Sequence, residues 1–374
     1  MSISDPKNIR RILIVKLCCI GDIVQMTPAL RALKMRFPQA QMDFLCASWV
    51  QNIAQRVPGI NEVILWDEPY KTISWAEGLF SFLRLARELS RRRYDLAFIG
   101  HRSPVFGALA FFSRIPLRAG FKSGINLFLN HPVLFNPQIH ETQRYLAIAQ
   151  ALNIPSTGQE YSLDLKGDEQ ASAQKIAEQA GLDLSLRPIA IFPGGGQNPG
   201  TSMKIKRWEK EKYAELIKQL PPQILLLGNQ SDHELCSWLK NATDPTGNSV
   251  FNLAGQTTIT ELLGLLKNCR LVIGGDSGPL YLAAALGTPT LMLFGPSSPN
   301  LVAPPGPNHR QLWKQVSCSP CYTPDTVYDR SRFKSNEFIC WTQTHDCLKT
   351  LSVNEVSQAV REILSARDPI STQR

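Results

Sequence analysis

Two successive strand–helix series constrain this chain more than any other feature. The first opens at residues 11–17, RILIVKL, a short β-branched apolar run without alternation. Such a run reads as a strand buried on both faces of a parallel sheet. A tight turn at residues 18–22 follows, then a helical stretch through Arg36 that Pro38 ends. Residues 41–46, 63–66 and 95–99 read as further strands, and 75–92 as a helix whose basic end suits its carboxyl-terminal dipole. A second series begins at Pro188. Its strands are 189–192, 223–227, 270–273 and 290–294, and helices at 208–219, 232–240, 259–267 and 279–286 fill the gaps. Alternation of this kind implies βαβ units in parallel sheets.

The fold class expected is therefore α/β, with two Rossmann-like domains in series whose parallel sheets face each other across a cleft. Ligands in such sheets bind beyond the carboxyl ends of the strands, and two facing domains put the site between them. Residues 1–165 form the amino-terminal domain. Residues 166–187, with one amphipathic helix at 168–179, read as a linker. Residues 188–350 form the second domain and include a cysteine-rich segment, 318–347, with little periodicity. Residues 351–374 are a final amphipathic helix and a tail. A chain of 374 residues is long enough for two such cores.

No apolar run reaches the ~18 residues of a membrane span. The polar start lacks the basic, apolar and small-residue order of a signal peptide, so a cytoplasmic location is expected. The net charge of +9 admits nucleic acid, an anionic membrane surface or an anionic substrate as partner. It lies in local clusters, at residues 91–93 and 204–212, without the aromatic interleaving of a nucleic-acid surface. Nucleic acid is thereby disfavoured. Of nine cysteines, Cys18, Cys19, Cys46, Cys236 and Cys269 sit in apolar or helical contexts and read as buried thiols.

Four constellations carry chemistry. Gly21 permits a tight turn after the first strand, and Asp22 follows at a helix start, where it reads either as an N-cap or as a general base. Gly194, Gly195 and Gly196 end the first strand of the second series, with Lys204, Lys206 and Arg207 downstream. Glycines let backbone amides approach phosphate, and lysines supply countercharge. The loop is neither a Walker loop nor GxGxxG, so a nicotinamide site is not supported. Asp276, Ser277 and Gly278 follow a later strand, with Pro279 suited to the first helical turn. The reading is a cap, an anion site or a partner for sugar hydroxyls. Cys318 and Cys321 have zinc-ligand spacing, and Cys340 and Cys347 follow with His345 between them. A structural zinc site or reduced packing thiols are the two readings.

Taken in order, these pieces resemble glycosyltransferase family 9, the heptosyltransferases of lipopolysaccharide core assembly. The set is Ile12-Leu13-Ile14-Val15 to Gly21-Asp22 with Thr27-Pro28-Ala29-Leu30, then Lys206-Arg207-Trp208 and Leu253-Ala254-Gly255. Gly275-Asp276-Ser277-Gly278 follows with residues 282–289, LAAALGTP, and then Phe294-Gly295-Pro296. The resemblance implies a GT-B fold and a metal-independent, inverting transfer that requires no cofactor. It implies an acceptor site in the first domain and a nucleotide-sugar site in the second, with an ADP-heptose-like donor and a glycolipid acceptor. Peripheral contact with the cytoplasmic face of the inner membrane would follow. Asp22 would be the catalytic base, Gly21 part of the acceptor-side loop, and Lys206 the group neutralising donor phosphate. The glycine loop and the Asp276-Ser277-Gly278 turn would hold the donor, and Asp232 or Glu234 would meet the ribose. The chain has Tyr281 where the family usually has histidine, three residues after that turn's glycine, and a hydroxyl donor is expected there. The alternatives are a related transferase with another nucleotide-sugar donor, and a non-catalytic nucleotide-sugar binding protein.

Overall fold

Residues 9–67, 74–122, 124, 127–156, 158–198, 200–244, 246–247 and 249–366 are described by the structure, a computed structural model. The polar start at 1–8 and the tail at 367–374 lie outside them. The chain divides into two units, Met1–Asp164 and Leu165–Arg374.

In the first unit the order is β1 (Arg11–Val15), α1 (Ile20–Arg36), β2 (Gln41–Cys46), α2 (Gln51–Ala54), β3 (Ile60–Leu65) and α3 (Trp75–Arg92). β4 (Leu96–Ile99), α4 (Pro104–Phe112), β5 (Leu117–Lys122), β6 (His131–Leu134) and α5 (Glu141–Ala151) follow. The sheet runs β3-β2-β1-β4-β5-β6, all parallel. Ile12, Leu13, Ile14 and Val15 are fully buried, as a run without alternation requires. Each such side chain contributes about 1.5–3 kcal/mol on burial. α3 starts at a capping box, with Ser74 and Glu77 each bonding the other's backbone N–H.

The second unit begins with α6 (Glu169–Ala180) and β7 (Ile189–Phe192). The short strands β8 (Gln197–Asn198) and β9 (Thr201–Ser202) precede α7 (Lys210–Ile217), β10 (Ile224–Leu226), α8 (His233–Thr243), β11 (Val250–Asn252) and α9 (Ile259–Asn268). β12 (Leu271–Gly275), α10 (Gly278–Ala285), β13 (Thr290–Phe294), α11 (Pro299–Val302) and β14 (His309–Trp313) complete the main sheet. β15 (Phe333–Lys334), β16 (Glu337–Phe338), α12 (Asp346–Lys349) and α13 (Val353–Ser365) close the chain. The main sheet runs β11-β10-β7-β12-β13-β14, again all parallel. A small sheet, β15-β16-β9-β8, ties the late segment to the stretch after β7.

Residues 166–187 are more than a linker. They carry α6, which packs along α9 so closely that a Cβ on Gly264 would stand 2.7 Å from Ala173 Cβ. α13 seals the same unit: Val353, Val356, Ala359 and Val360 join a core with Trp208 and Tyr213, and Trp208 Nε1 donates to Leu351 O at 3.1 Å.

In each sheet the strand order reverses once, between β1 and β4 and between β7 and β12. The crevice at such a reversal, beyond the carboxyl ends of the strands, is where open α/β sheets bind ligands. The loop that leads into α1, whose first turn carries Asp22, leaves β1. The triple-glycine loop and the Asp276 turn leave β7 and β12.

Candidate active site

In the first unit, β1 delivers Lys16 to its carboxyl end. Lys16 is buried, with Nζ 2.7 Å from Asp22 Oδ2 and 3.4 Å from Gly100 O. Burial opposes the ammonium, yet Asp22, Tyr145 and the two adjacent cysteines hold its pKa well above the ordinary value. Cys19, at φ +74°, occupies the cap position of α1 without a side-chain cap bond, so Asp22 is not the N-cap. It lies in the first turn with Gly21, where the helix dipole favours an anion. Its side chain is 35 % exposed, so the carboxylate reaches solvent while anchored from below. Cys18 and Cys19 are half-buried, whereas Cys46, Cys236 and Cys269 are buried as expected.

Three groups that the sequence reading passed over back this pair. His101 Nε2 accepts from Leu17 N at 2.6 Å, and burial together with Lys16 pushes its pKa well down, so the ring is neutral. Arg144 is buried and ion-paired to Glu141. Burial and then the nearby Asp22 push the Glu141 carboxyl up, against Arg144 and Lys16. A lysine ending a buried apolar strand was the one signal available for Lys16. His101, Glu141 and Arg144 belong to other loops and helices and carried none.

In the second unit, Gly195 and Gly196 take φ of +91° and +73°, the left-handed region that favours glycine. A Cβ on Gly196 would stand 2.6 Å from Met203 O, and one on Gly195 would meet Ser277 Cβ at 3.3 Å. The glycine loop therefore lies against the turn after β12. A Cβ on Gly194 would collide with the Asp232 carboxylate.

That turn is organised around Asp276, which is 8 % exposed. Its Oδ2 accepts from Lys206 Nζ at 2.6 Å and Ser297 Oγ at 2.7 Å, and its Oδ1 from Tyr281 OH at 2.6 Å. Burial would raise its pKa, but the Lys206 charge and these hydrogen bonds bring it below the usual carboxylate value. Lys206 also lies 4.6 Å from the centre of the Tyr322 ring. Ser277 stands at the cap position of α10 without a cap bond, and its Oγ donates to Gly275 O at 3.3 Å. Gly278 opens α10.

The structure separates the two ribose candidates. Asp232 is 1 % exposed; its Oδ1 takes Arg207 Nη2 at 3.0 Å and its Oδ2 takes Asn229 N at 3.1 Å. Arg207 Nε also donates to Gly195 O at 3.2 Å, so Asp232 and Arg207 buttress the glycine loop. Glu234 is exposed in the first turn of α8. Tyr281, expected to face the donor, is buried with its hydroxyl on Asp276.

Cys318, Cys321, Cys340 and Cys347 come together round one pocket with His345, and all four are free thiols. Among the described residues, no three His, Cys, Asp or Glu side chains already stand in an arrangement that holds a metal ion. Nor is any described helix long and apolar enough to cross a membrane.

Lipopolysaccharide heptosyltransferase 2 of Escherichia coli strain K12 is 28 % identical over 305 residues, covering 79 % of this chain and 85 % of that protein. The solved structure of E. coli ADP-heptose lps heptosyltransferase II superposes with a TM-score of 0.74 at 24 % identity, covering 96 % of this chain and 99 % of that one. E. coli heptosyltransferase WaaC with ADP superposes with a TM-score of 0.68 at 20 % identity, covering 94 % and 99 %. The two six-stranded parallel sheets thus match the GT-B fold of these solved structures. The family description "Glycosyltransferase family 9 (heptosyltransferase)" matches residues 82–330, and with both sheets built as in its solved relatives, this chain belongs to that family of glycosyltransferases.

Proposed function

We propose that the enzyme moves heptose from ADP-heptose to a lipopolysaccharide core or related glycolipid, inverting the anomeric centre without a divalent metal. The observation that carries this reading is the Lys16–Asp22 pair, which presents an anchored carboxylate at the crevice of the first sheet. Asp22 takes the proton of an acceptor hydroxyl. The acceptor oxygen attacks the anomeric carbon as the bond to the diphosphate breaks, and the electron pair leaves on ADP. Lys206, the amides near Gly195 and Gly196, and the start of α10 at Ser277 and Gly278 stabilise the departing charge. An ammonium has three donors, so Lys206 can keep Asp276 and still bond a phosphate oxygen. Glu234 takes the ribose, while Asp232 and Tyr281 act through Arg207 and Asp276. The heptosyl donor is supported by the names of these three relatives, all heptosyltransferases, and its ADP part by two of them, one named for ADP-heptose and one holding ADP. Calorimetric titration with ADP, UDP, GDP and CMP, each with EDTA, tests the donor side. Selective, EDTA-insensitive ADP binding is expected, and selective UDP or GDP binding would move the donor.

A glycolipid acceptor places the enzyme at the cytoplasmic face of a membrane. Trp75, Phe80 and Leu83 of α3 are 83 %, 70 % and 52 % exposed, beside exposed Phe111 and Phe112 of α4. Exposed Arg84, Arg87, Arg91 and Arg93 extend the same helix and its end, and half-buried Arg92 is paired with Glu62 and Glu88. Exposed aromatics with arginines suit an anionic bilayer surface. In flotation with phosphatidylglycerol-containing vesicles the wild type should co-float. Trp75→Ser/Phe80→Ser should not, and equal flotation of both would overturn this docking face.

A further inference from the structure

The four late cysteines are the chain's strongest chemical cluster outside the transfer site. Cys318 and Cys321 lie on the turn after β14, and the amides of Cys321 and Tyr322 donate to Pro296 O at 2.9 and 2.8 Å, fixing that turn beyond β13. Cys340 follows β16, and Cys347 lies in the first turn of α12. Two sequence-distant pairs therefore meet at one pocket, lined also by His345 and Ile205. Regular structure between β14 and α12 amounts, beyond one 3₁₀ turn, to two strands of two residues. The satellite core beneath them has just Met203, Ile205 and Phe338 as buried side chains. Ordering the backbone costs about 1–2 kcal/mol per residue, more than so few buried apolar side chains offset. Small segments with this deficit are commonly stapled by disulfides or a metal, and no disulfide is formed here.

We propose that Cys318, Cys321, Cys340 and Cys347 form a structural zinc site. An all-sulfur donor set with one C-x2-C pair suits tetrahedral zinc, at Zn–S distances of about 2.3 Å. Four thiols release four protons to solvent as four zinc–sulfur bonds form, with no change of oxidation state. The four thiols line one pocket without yet standing in a metal-holding arrangement, so zinc would have to draw them together. The clamp reaches the donor machinery through two contacts. β16 pairs with β9 just beyond the glycine loop, and Tyr322 lies under the Lys206 ammonium. Zinc binding would thus hold the segment that positions Lys206, whichever nucleotide the enzyme takes.

The test uses the purified full-length chain, stripped with chelator under reducing conditions and titrated with Zn(II), and separately with Co(II). One equivalent should bind per chain, with cobalt showing tetrahedral bands and thiolate charge transfer. Cys318→Ser and Cys340→Ser should each lose that equivalent. Absence of stoichiometric binding by folded wild type, a cobalt spectrum without thiolate charge transfer, or undiminished binding in both variants would overturn the proposal. The wild-type cobalt spectrum decides the matter even if the variants fail to fold.

Discussion

Asp276→Asn removes the charge at the centre of the second unit's site while keeping the side chain's shape. Wild-type Lys206 and Asp276 have side chains 13 % and 9 % exposed, 2.6 Å apart, so the substitution leaves a nearly buried ammonium without its counter-charge. Breaking a buried pair from one side costs about 3–5 kcal/mol. The residual exposure of Lys206 and the hydrogen bond an asparagine oxygen can still accept argue for the lower end, about 3 kcal/mol. For a unit the size of Leu165–Arg374, that is a fall in Tm of about 6–12 °C. ADP should narrow the gap, because its diphosphate can replace the missing carboxylate beside Lys206. Scanning calorimetry of both proteins with and without saturating ADP reads this directly. An unchanged Tm would refute the energetic role of the pair. A deficit that ADP leaves untouched would refute the placement of the diphosphate beside Lys206.

Three further outcomes follow from the same geometry. Lys16→Met keeps much of the buried stem but removes the anchor of Asp22, so turnover should fall at least about tenfold while ADP affinity measured by calorimetry stays unchanged. Tyr281→Phe deletes one hydrogen bond to the Asp276 carboxylate, worth about 1.5–3 kcal/mol, and chemical denaturation should show a smaller loss than Asp276→Asn. Glu355, held by Lys314 and the Ser352 cap, has its pKa lowered from 4.5 to about 2. Its folded value is depressed, so its stabilisation is complete above pH 4.5 and is lost as pH falls toward 2. The protection factors of the amides at the start of α13, corrected for the intrinsic pH dependence of exchange, should fall as pH drops through that window and remain flat above it.

Most buried central strands were legible because a parallel sheet covered on both faces demands unbroken apolar runs, and β7 and β13 match their expected spans; β5, reading LRAGFK with Arg118 and Gly120 in the run, was not expected. Of the edge strands, β3 was expected in part, at residues 63–66, and β6, β11 and β14 were not. β6 carries Pro132, β14 reads HRQLW, and β11 has three residues, because an edge strand is freed from the pattern that burial imposes. Within the site, motifs continuous in sequence were visible: the Asp22 turn, the glycine loop and the Asp276 turn. Partners supplied from elsewhere were not. Ser297 and Tyr322 reach Asp276 and Lys206 from loops without periodicity. Lys16, although adjacent, was hidden inside an apolar run. The different surroundings of Asp232 and Glu234 were not legible either, since both lie at the start of the same helix and yet the first is buried and the second exposed.

The central claim is that Asp22 is the base for sugar transfer, and the turnover of Asp22→Asn with ADP-heptose and a heptose-accepting core glycolipid tests it most directly. A fall in kcat of about 10²–10⁴, with ADP affinity and Tm near wild type, is the predicted result. Wild-type turnover by a correctly folded Asp22→Asn enzyme would contradict it.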